Sequence, residues 1–194
     1  MSARKRQTKR RSIFVTSFSF FLVSFFGWLY ETVLMIVCYG QLTDRGFLSL
    51  PFCPIYGAVV CGLYLLIGTP VDGWYCRWTG GLLRCGWPKW VERWVRYLGY
   101  FLLSALFATV AELVVGIAFQ NAGVELWSYA NWPMNYKGVI CLPVSLFWGL
   151  VLTLAMRFPY QWILRLTERL PKWFLVFHTL VFAFALSVDF MLRF

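Results

Sequence analysis

Apolar residues occur in five long blocks along the chain, and shorter polar or basic stretches separate them. A helix needs about 20 mostly apolar residues to cross the roughly 30 Å hydrocarbon layer of a membrane. Blocks of this length predict transmembrane helices rather than the amphipathic helices of a globular domain. The five predicted spans are 13–39, 52–68, 98–119, 139–156 and 173–192.

The composition agrees with this hydrophobic pattern. Hydrophobic residues make up 60% of the 194 residues, and charged residues only 13%. These fractions are typical of an integral membrane protein and exclude an ordinary soluble domain. The sequence therefore predicts an all-α integral membrane fold with five transmembrane helices.

The basic residues predict the orientation of these helices. With the N-terminus inside, 15 of the 18 lysines and arginines fall on the cytoplasmic side, and only Arg45, Lys137 and Arg193 fall outside. Cytoplasmic loops are enriched in Lys and Arg, so we expect the N-terminus inside and the C-terminus outside. The basic tail 1–12 directly precedes a span, which favours contact with anionic membrane lipids over nucleic-acid binding.

Two short segments of the chain resemble each other. RGFLSLPFCPIYG, residues 45–57, and KGVICLPVSLFWG, residues 137–149, share a basic start, two glycines, a Leu-Pro pair and an aromatic-Gly end. Each precedes an inward span, so the two copies predict a parallel repeat of helix hairpins. The predicted units are a tail at 1–12, a first repeat at 13–69, an amphipathic cytoplasmic loop at 70–97, a second repeat at 98–157, and an interfacial segment with a fifth span at 158–194.

Amphipathic stretches flank the spans on the predicted cytoplasmic side. WPKWVERWVRYLG, residues 87–99, places tryptophans at helical spacing among basic residues, and residues 158–172 show a similar pattern. Such stretches are typical of helices that lie at the membrane surface. A docking surface for a partner protein is the alternative.

Each predicted outward span contains one acidic residue, Glu31 in the first and Glu112 in the third. A charge in hydrocarbon costs roughly 2.5–3.5 kcal/mol on insertion scales and normally faces protein or water. Both positions lie in the outer half of their spans. The two carboxylates are therefore the first candidates for a ligand-binding, proton-binding or catalytic role, and an ion pair that only fixes the fold is the alternative.

The duplicated segments have the residues of interrupted helices. Gly46 and Gly138 permit unusual backbone angles, and Pro51, Pro54 and Pro143 fit best at a helix start. Two helix N-termini would then face an outward polar cavity near both acids. The predicted substrate-binding residues are Glu31, Arg45, Tyr56, Glu112, Trp127, Tyr129, Asn135, Lys137 and Trp148.

No metal or cofactor site is predicted. The six cysteines lack the spacing of a zinc site, and His178 has no second ligand nearby in sequence, which favours packing. The sequence contains no GxxxxGK[ST] phosphate loop, so any nucleotide hydrolysis needs another polypeptide.

Glu31, DRGFLSLPFCPIYG, Glu112 and WSYANWPMNYKGVICLPVSLFWG together resemble the small bacterial membrane proteins labelled putative ABC transporter type IV permeases. The resemblance covers residues 20–157 and implies a multipass protein of the bacterial inner membrane with a transport-related role. In that family a basic residue follows the glycine of the N-x-x-G element, whereas here Lys137 precedes Gly138 and Val139 follows it. The pairing of Lys137 with a buried Glu therefore stays open.

Three functions remain at this point. The first is a permease-like component with an outward-facing intramembrane site for an anionic or zwitterionic small molecule or lipid headgroup, served by an ATPase in trans. The second is a membrane enzyme acting on an outer-leaflet or lipid-linked substrate, with Glu31 or Glu112 as general base. The third is a noncatalytic assembly factor that uses the aromatic outer loop. The sequence leaves the question of enzyme activity undecided and favours a noncatalytic role, and a homodimer is open.

Overall fold

The computed structural model of the chain describes residues 13–40, 47–82 and 87–193. Its elements are the helices α1 (Ile13–Tyr39), α2 (Pro54–Leu66), α3 (Trp74–Leu82), α4 (Lys89–Asn121), α5 (Leu142–Arg157), α6 (Pro159–Thr167) and α7 (Lys172–Arg193), with two strands, β1 (Asn135–Tyr136) and β2 (Ile140–Cys141). The strands pair antiparallel, with Asn135 opposite Cys141. The all-α prediction is confirmed, apart from this short hairpin.

Three described helices, α1, α4 and α7, are long and apolar enough to cross a membrane. A fourth span is available if α5 and α6, which meet at a bend of 43°, are taken together. Five spans were expected. The difference lies in α2, whose 13 residues rise only about 20 Å at 1.5 Å per residue.

The chain before α2 is not helical because prolines interrupt it. Pro51 and Pro54 remove backbone donors and disfavour helical angles in the residues before them. The Cys53 N–H donates to Ser24 O at 3.0 Å, so α2 begins opposite the middle of α1 rather than at its end. The prediction that a proline opens this helix, and another opens α5, is confirmed.

The helices pack mainly as two pairs, α1 with α2 and α4 with α5. A glycine makes each contact close. A Cβ on Gly57 would collide with the Ser24 hydroxyl and lie 2.6 Å from Phe20 O, and a Cβ on Gly149 would lie 2.6 Å from the Cβ of Ala105. Ser24 stands seven residues before Glu31, and Ala105 stands seven residues before Glu112.

The best-buried side chains form one cluster at the end of the bundle that contains Ile13. Leu63, Tyr100, Met156, Tyr160 and Leu164 are almost fully buried there. Their polar atoms are satisfied inside the protein: the Tyr100 hydroxyl donates to Gly68 O at 2.7 Å, and the Tyr160 hydroxyl lies 3.5 Å from Cys61 Sγ. This cluster joins both helix pairs to α6.

A separate surface helix was expected at 87–99, but the structure places most of that segment within α4. The 33 residues of α4 rise about 50 Å, so the helix extends beyond a hydrocarbon layer of roughly 30 Å. The short helix α3 packs against this extension through the Tyr75 hydroxyl, which donates to Arg96 O at 2.8 Å. The second amphipathic segment contains α6, which buries Tyr160 and exposes Trp162.

The C-terminal end of α7 contacts the segment before α2. Spacing along the helix predicts a pair between Asp189 and Arg193. Instead Asp189 Oδ2 accepts the Leu50 N–H at 2.9 Å, and Arg193 donates to Ser49 Oγ at 2.9 Å, with no ion pair between the two in the described part of the chain. Asp189 is buried, and its carboxylate gives the non-helical Leu50 N–H the acceptor that a buried backbone donor requires.

Replacing Asp189 with Ala should lower the free energy of unfolding by about 1–3 kcal/mol, because the Leu50 N–H would lose its acceptor. Ser187→Ala is the matched control on the same helix, since that exposed hydroxyl bonds only to Ala183 O of its own helix. The two variants are unfolded in detergent, and tryptophan fluorescence measures the free energy of unfolding of each. Equal stability of the two variants would contradict the role assigned to Asp189.

Candidate functional site

Glu31 is bonded to the helix that follows it. The Tyr56 hydroxyl donates to Glu31 Oε1 at 2.6 Å, a short bond of the charge-assisted kind. The tyrosine reaches α1 closely because Gly27 has no side chain there; a Cβ on Gly27 would lie 2.5 Å from Tyr56 Cγ. Glu31 and Tyr56, both predicted for the site, therefore lie together.

Glu112 lies deeper than Glu31 and has a weaker bond. Only 8% of Glu112 is exposed, and the Tyr129 hydroxyl donates to its Oε1 at 3.4 Å. That distance is at the long limit for an O–H···O bond. The other oxygen, Oε2, is buried and has no hydrogen-bond partner among the described residues. A carboxylate oxygen in this state can still accept a donor.

Tyr129 is held by a folded loop between α4 and α5. The Tyr129 N–H donates to Gly138 O at 2.7 Å, and Trp127 Nε1 donates to Val139 O at 2.9 Å. The Asn135 side chain bonds Trp132 O at 2.7 Å and accepts the Gly138 N–H at 3.2 Å. Trp127 and Asn135, both predicted to line the site, therefore stabilise the loop that positions Tyr129.

The basic residues predicted for the site are Lys137 and Arg45. Lys137 is exposed at a positive φ of 53°, and its Nζ lies 5.6 Å from the centre of the Tyr136 ring. No bond between Lys137 and Glu112 is present in the described chain. Arg45, the other basic residue predicted for the site, lies outside the described residues.

Trp148 connects α5 to the α1–α2 pair. It belongs to α5, and its ring centre lies 5.4 Å from that of Tyr56 on α2 and 6.2 Å from that of Tyr30 on α1. Sequence reasoning selected Trp148 and Tyr56 but missed Tyr30. Its position next to Glu31 at the outer part of a span was the available signal.

The charges of both acids contribute to the pKa of the Tyr129 phenol. The pKa of its phenol lies above the ordinary value because the group is buried, because Glu112 is adjacent, and more weakly because Glu31 is near. The phenol therefore stays protonated at physiological pH and remains a hydrogen-bond donor. Glu31 with Tyr56 and Glu112 with Tyr129 form two acid–tyrosine pairs, and Trp148 contacts the first pair; we call these five residues the two-acid site.

The two-acid site adjoins the starts of two helices. α2 begins at Pro54, directly before Tyr56, and α5 begins at Leu142, after the loop that bears Tyr129. Neither N-cap residue, Cys53 or Cys141, caps its helix with a side-chain hydrogen bond within the described chain. These helix starts add partial positive charge to that side of the bundle.

Metal binding has no support at the two-acid site. The described residues contain no group of three or more His, Cys, Asp or Glu side chains that could hold a metal ion. Cys53, Cys61, Cys76 and Cys141 are free thiols. His178 Nδ1 lies 2.9 Å from Phe174 O within a group of phenylalanine rings, as expected for a packing role.

The sequence was also compared with known proteins. A family model described as "Putative ABC-transporter type IV" matches residues 18–194. No curated protein and no solved structure matches the chain.

Proposed function

The chain belongs to the family described as putative ABC-transporter type IV, and we propose that it is a permease-like component that binds its ligand at the two-acid site. It is a membrane protein of an ABC-transporter-related family, with three or four described helices fit to span the bilayer. The observation that carries the proposal is that each of two helices suited to span the membrane holds an acid bonded to a tyrosine hydroxyl, Glu31 to Tyr56 and Glu112 to Tyr129.

Both acids lie where an ionised side chain is unfavourable in free energy. Each stands in a helix suited to span the membrane, where a charged side chain is unfavourable by roughly 2.5–3.5 kcal/mol. Packing alone would be better served by apolar residues of similar volume. Retaining two acids, each bonded to a tyrosine hydroxyl, supports a binding site for a small polar molecule or a lipid headgroup.

We further propose that the site was built by duplication. Gly57 and Gly149 hold the same place in the two similar segments, and each packs on a small residue seven positions before the acid of its own repeat. The paired helices α1–α2 and α4–α5 are the proposed repeats, with α7 added. Together with the basic residues, this arrangement supports an N-terminus inside the cell and a site that faces outward.

Binding is better supported than catalysis. A general base must have an oxygen free to reach the substrate proton. A tyrosine hydroxyl already donates to Oε1 of each acid, and the free Oε2 of Glu112 is buried. The enzyme alternative therefore gains no specific support from these contacts.

The relation of the family to ABC transporters suggests an ATPase partner. The sequence itself contains no phosphate loop, so the ATPase would be a separate polypeptide. We propose that the partner docks on α3 and the first turns of α4. This surface exposes Trp74 and Trp78, whose rings stack at 6.1 Å, together with Arg93 and Trp94. Exposed aromatic and arginine side chains are the residue types that dominate protein interfaces.

An ATPase subunit should copurify with the intact chain from its native membrane and be lost from the double variant Arg93→Glu, Trp94→Ala. Both residues are exposed, so the variant should fold. Trp162→Ala, at an equally exposed tryptophan on α6, is the control and should retain the partner. Quantitative mass spectrometry of the purified material measures the outcome. Wild-type protein free of any ATPase would count against a permease role.

A further inference from the structure

Residues 157–173 join the end of α5 to the start of α7 and contain α6. The hydroxyl of Tyr160, in the first turn of α6, lies 3.4 Å from the hydroxyl of Ser19. The Phe174 ring, in the first turn of α7, lies 6.0 Å from the ring of Phe18. The segment therefore begins and ends beside the second turn of α1, and it stays at the end of the bundle where α1 starts.

Arg157 lies at the edge of the apolar layer at this end of the bundle. Its Nε donates to the Tyr97 hydroxyl at 2.9 Å, and Tyr97 directly precedes the apolar block 98–119 of α4. Glu112 stands 15 residues further along α4, about 22 Å at 1.5 Å per residue. The surroundings of Arg157 are therefore separate from the two-acid site, at the level where an apolar span meets the lipid headgroups.

The guanidinium of Arg157 is held in a fixed position and stays partly exposed. Its Nε bonds the phenol of Tyr97, and its Cζ lies 4.9 Å from the centre of the Phe158 ring. Among the described residues, its contacts are thus with a phenol and an aromatic ring rather than with a carboxylate. A planar guanidinium that is fixed on one side can bind a phosphate through two parallel hydrogen bonds from its other nitrogens.

α6 has one face in the protein and another face outside it. Leu164 is fully buried, whereas Trp162 and Leu166, one turn apart, are 61% and 38% exposed. Arg165 stands three residues after Trp162, so it is a neighbour of that tryptophan on the helix surface, and it is exposed too. Exposed apolar side chains beside a basic residue are typical of a helix that lies at a lipid surface.

The charge of residues 157–173 suits an anionic partner. They contain one acid, Glu168, and four basic residues, Arg157, Arg165, Arg169 and Lys172. Basic residues next to a membrane attract anionic lipids. A soluble protein would have to reach Arg157 at the edge of the apolar layer, whereas a lipid phosphate already lies at that level. The position of Arg157 therefore favours a lipid over a protein partner.

We propose that residues 157–173, which we call the α6 surface, bind the phosphate groups of anionic phospholipids. Arg157 binds one phosphate through its guanidinium. Trp162 and Leu166 enter the boundary between headgroups and acyl chains, and Arg165 contacts a neighbouring headgroup. Neither a ligand at the two-acid site nor an ATPase is needed for this binding.

Lipid retention by the purified full-length protein tests this proposal. The protein in detergent is mixed with equal amounts of phosphatidylglycerol and phosphatidylcholine that carry the same acyl chains, and native mass spectrometry measures the bound lipid. Wild-type protein should retain phosphatidylglycerol in preference. Arg157→Gln should weaken phosphatidylglycerol binding about fivefold, as expected for one basic residue near an anionic surface. Lys137→Gln makes the same charge change at an exposed lysine outside the α6 surface and should leave binding unchanged.

Further variants separate the fixed guanidinium from net charge. Arg157→Lys keeps the charge but loses the planar fork and the bond to Tyr97, so it should bind phosphatidylglycerol more weakly than wild type. Arg165→Lys, at an exposed position, should bind as wild type does. The double variant Arg165→Gln, Arg169→Gln changes only exposed side chains and should weaken binding about fivefold for each charge. It keeps the test decisive if the Arg157 variants do not fold.

Four outcomes would overturn the proposal. Wild-type protein could retain the two lipids equally, or phosphatidylglycerol binding could be unchanged in Arg157→Gln or in the double variant. Displacement of the lipid by inorganic phosphate would indicate a site for a free anion instead. Loss of a copurifying ATPase from the double variant, with lipid binding unchanged, would assign the α6 surface to a protein partner. All four leave the two-acid site untouched, so they are distinct from a failure of the proposed function.

Discussion

Valine at Gly57 or at Gly149 is expected to destabilise the protein by about 2–3 kcal/mol, among the largest effects of any single substitution outside the buried cluster. A side chain at Gly149 would meet the Ala105 backbone N at 3.1 Å, and one at Gly57 would meet Phe20 O at 2.6 Å. Backbone atoms of a packed helix cannot move aside as a flexible side chain can. The helices of each pair would therefore have to separate.

Gly80→Val is the matched control for these variants. Gly80 also lies in a helix, but a Cβ there would meet nothing within 4 Å. Valine at Gly80 should therefore leave stability nearly unchanged. Denaturation in detergent, followed by tryptophan fluorescence, compares all three variants. If only one of Gly57→Val and Gly149→Val is destabilising, the two hairpins are not packed equivalently and the duplication loses its main support.

Replacement of Trp148 with Ala is expected to cost about 3 kcal/mol and to abolish ligand binding at the two-acid site. Loss of a packed tryptophan commonly costs 3–5 kcal/mol, and the partial exposure of Trp148 places it at the lower end. The loss would fall on the contacts with Tyr56 and Tyr30, which join α5 to the first repeat. Without them, the two acids would no longer be held around one site.

Leu150→Ala is the control for Trp148, because Leu150 also lies on α5 and is 52% exposed. It should change neither binding nor stability by more than a small fraction of the Trp148 effect. Trp148→Phe should recover part of the stability, since a smaller ring can keep some of the contact. Full binding in folded Trp148→Ala would show that the bridge between the repeats is not needed for the site.

The sequence predicted the long apolar helices well because their length is set by the membrane. α1 and α7 begin and end within a residue of the predicted spans 13–39 and 173–192. It predicted α2 and α4 less well. Prolines shorten α2. The amphipathic residues from Lys89 onward belong to the same helix as the apolar block of α4, and nothing in that block indicates this continuity.

The candidate site was predictable in its residue types but not in its pairings. A buried acid and nearby aromatic residues can be read from the chain, and the pairing of Glu31 with Tyr56 follows from helix packing. Lys137 was expected near Glu112 on charge alone. Its actual place depends on the loop of Tyr129, whose fold is set by hydrogen bonds from Asn135 and by positive φ angles at Lys137 and Gly138.

The central proposal is that the acids of both hairpins, with Tyr56 and Tyr129, face one site, and intramolecular cross-linking tests it most directly. After replacement of the six native cysteines, cysteine pairs are introduced at Glu31 with Tyr129 and at Glu31 with the exposed Glu125. A short bis-methanethiosulfonate should link the first pair within one chain, as read by mass spectrometry, and not the second. Failure to link Glu31→Cys with Tyr129→Cys in folded protein, or equal linking of both pairs, would contradict the account.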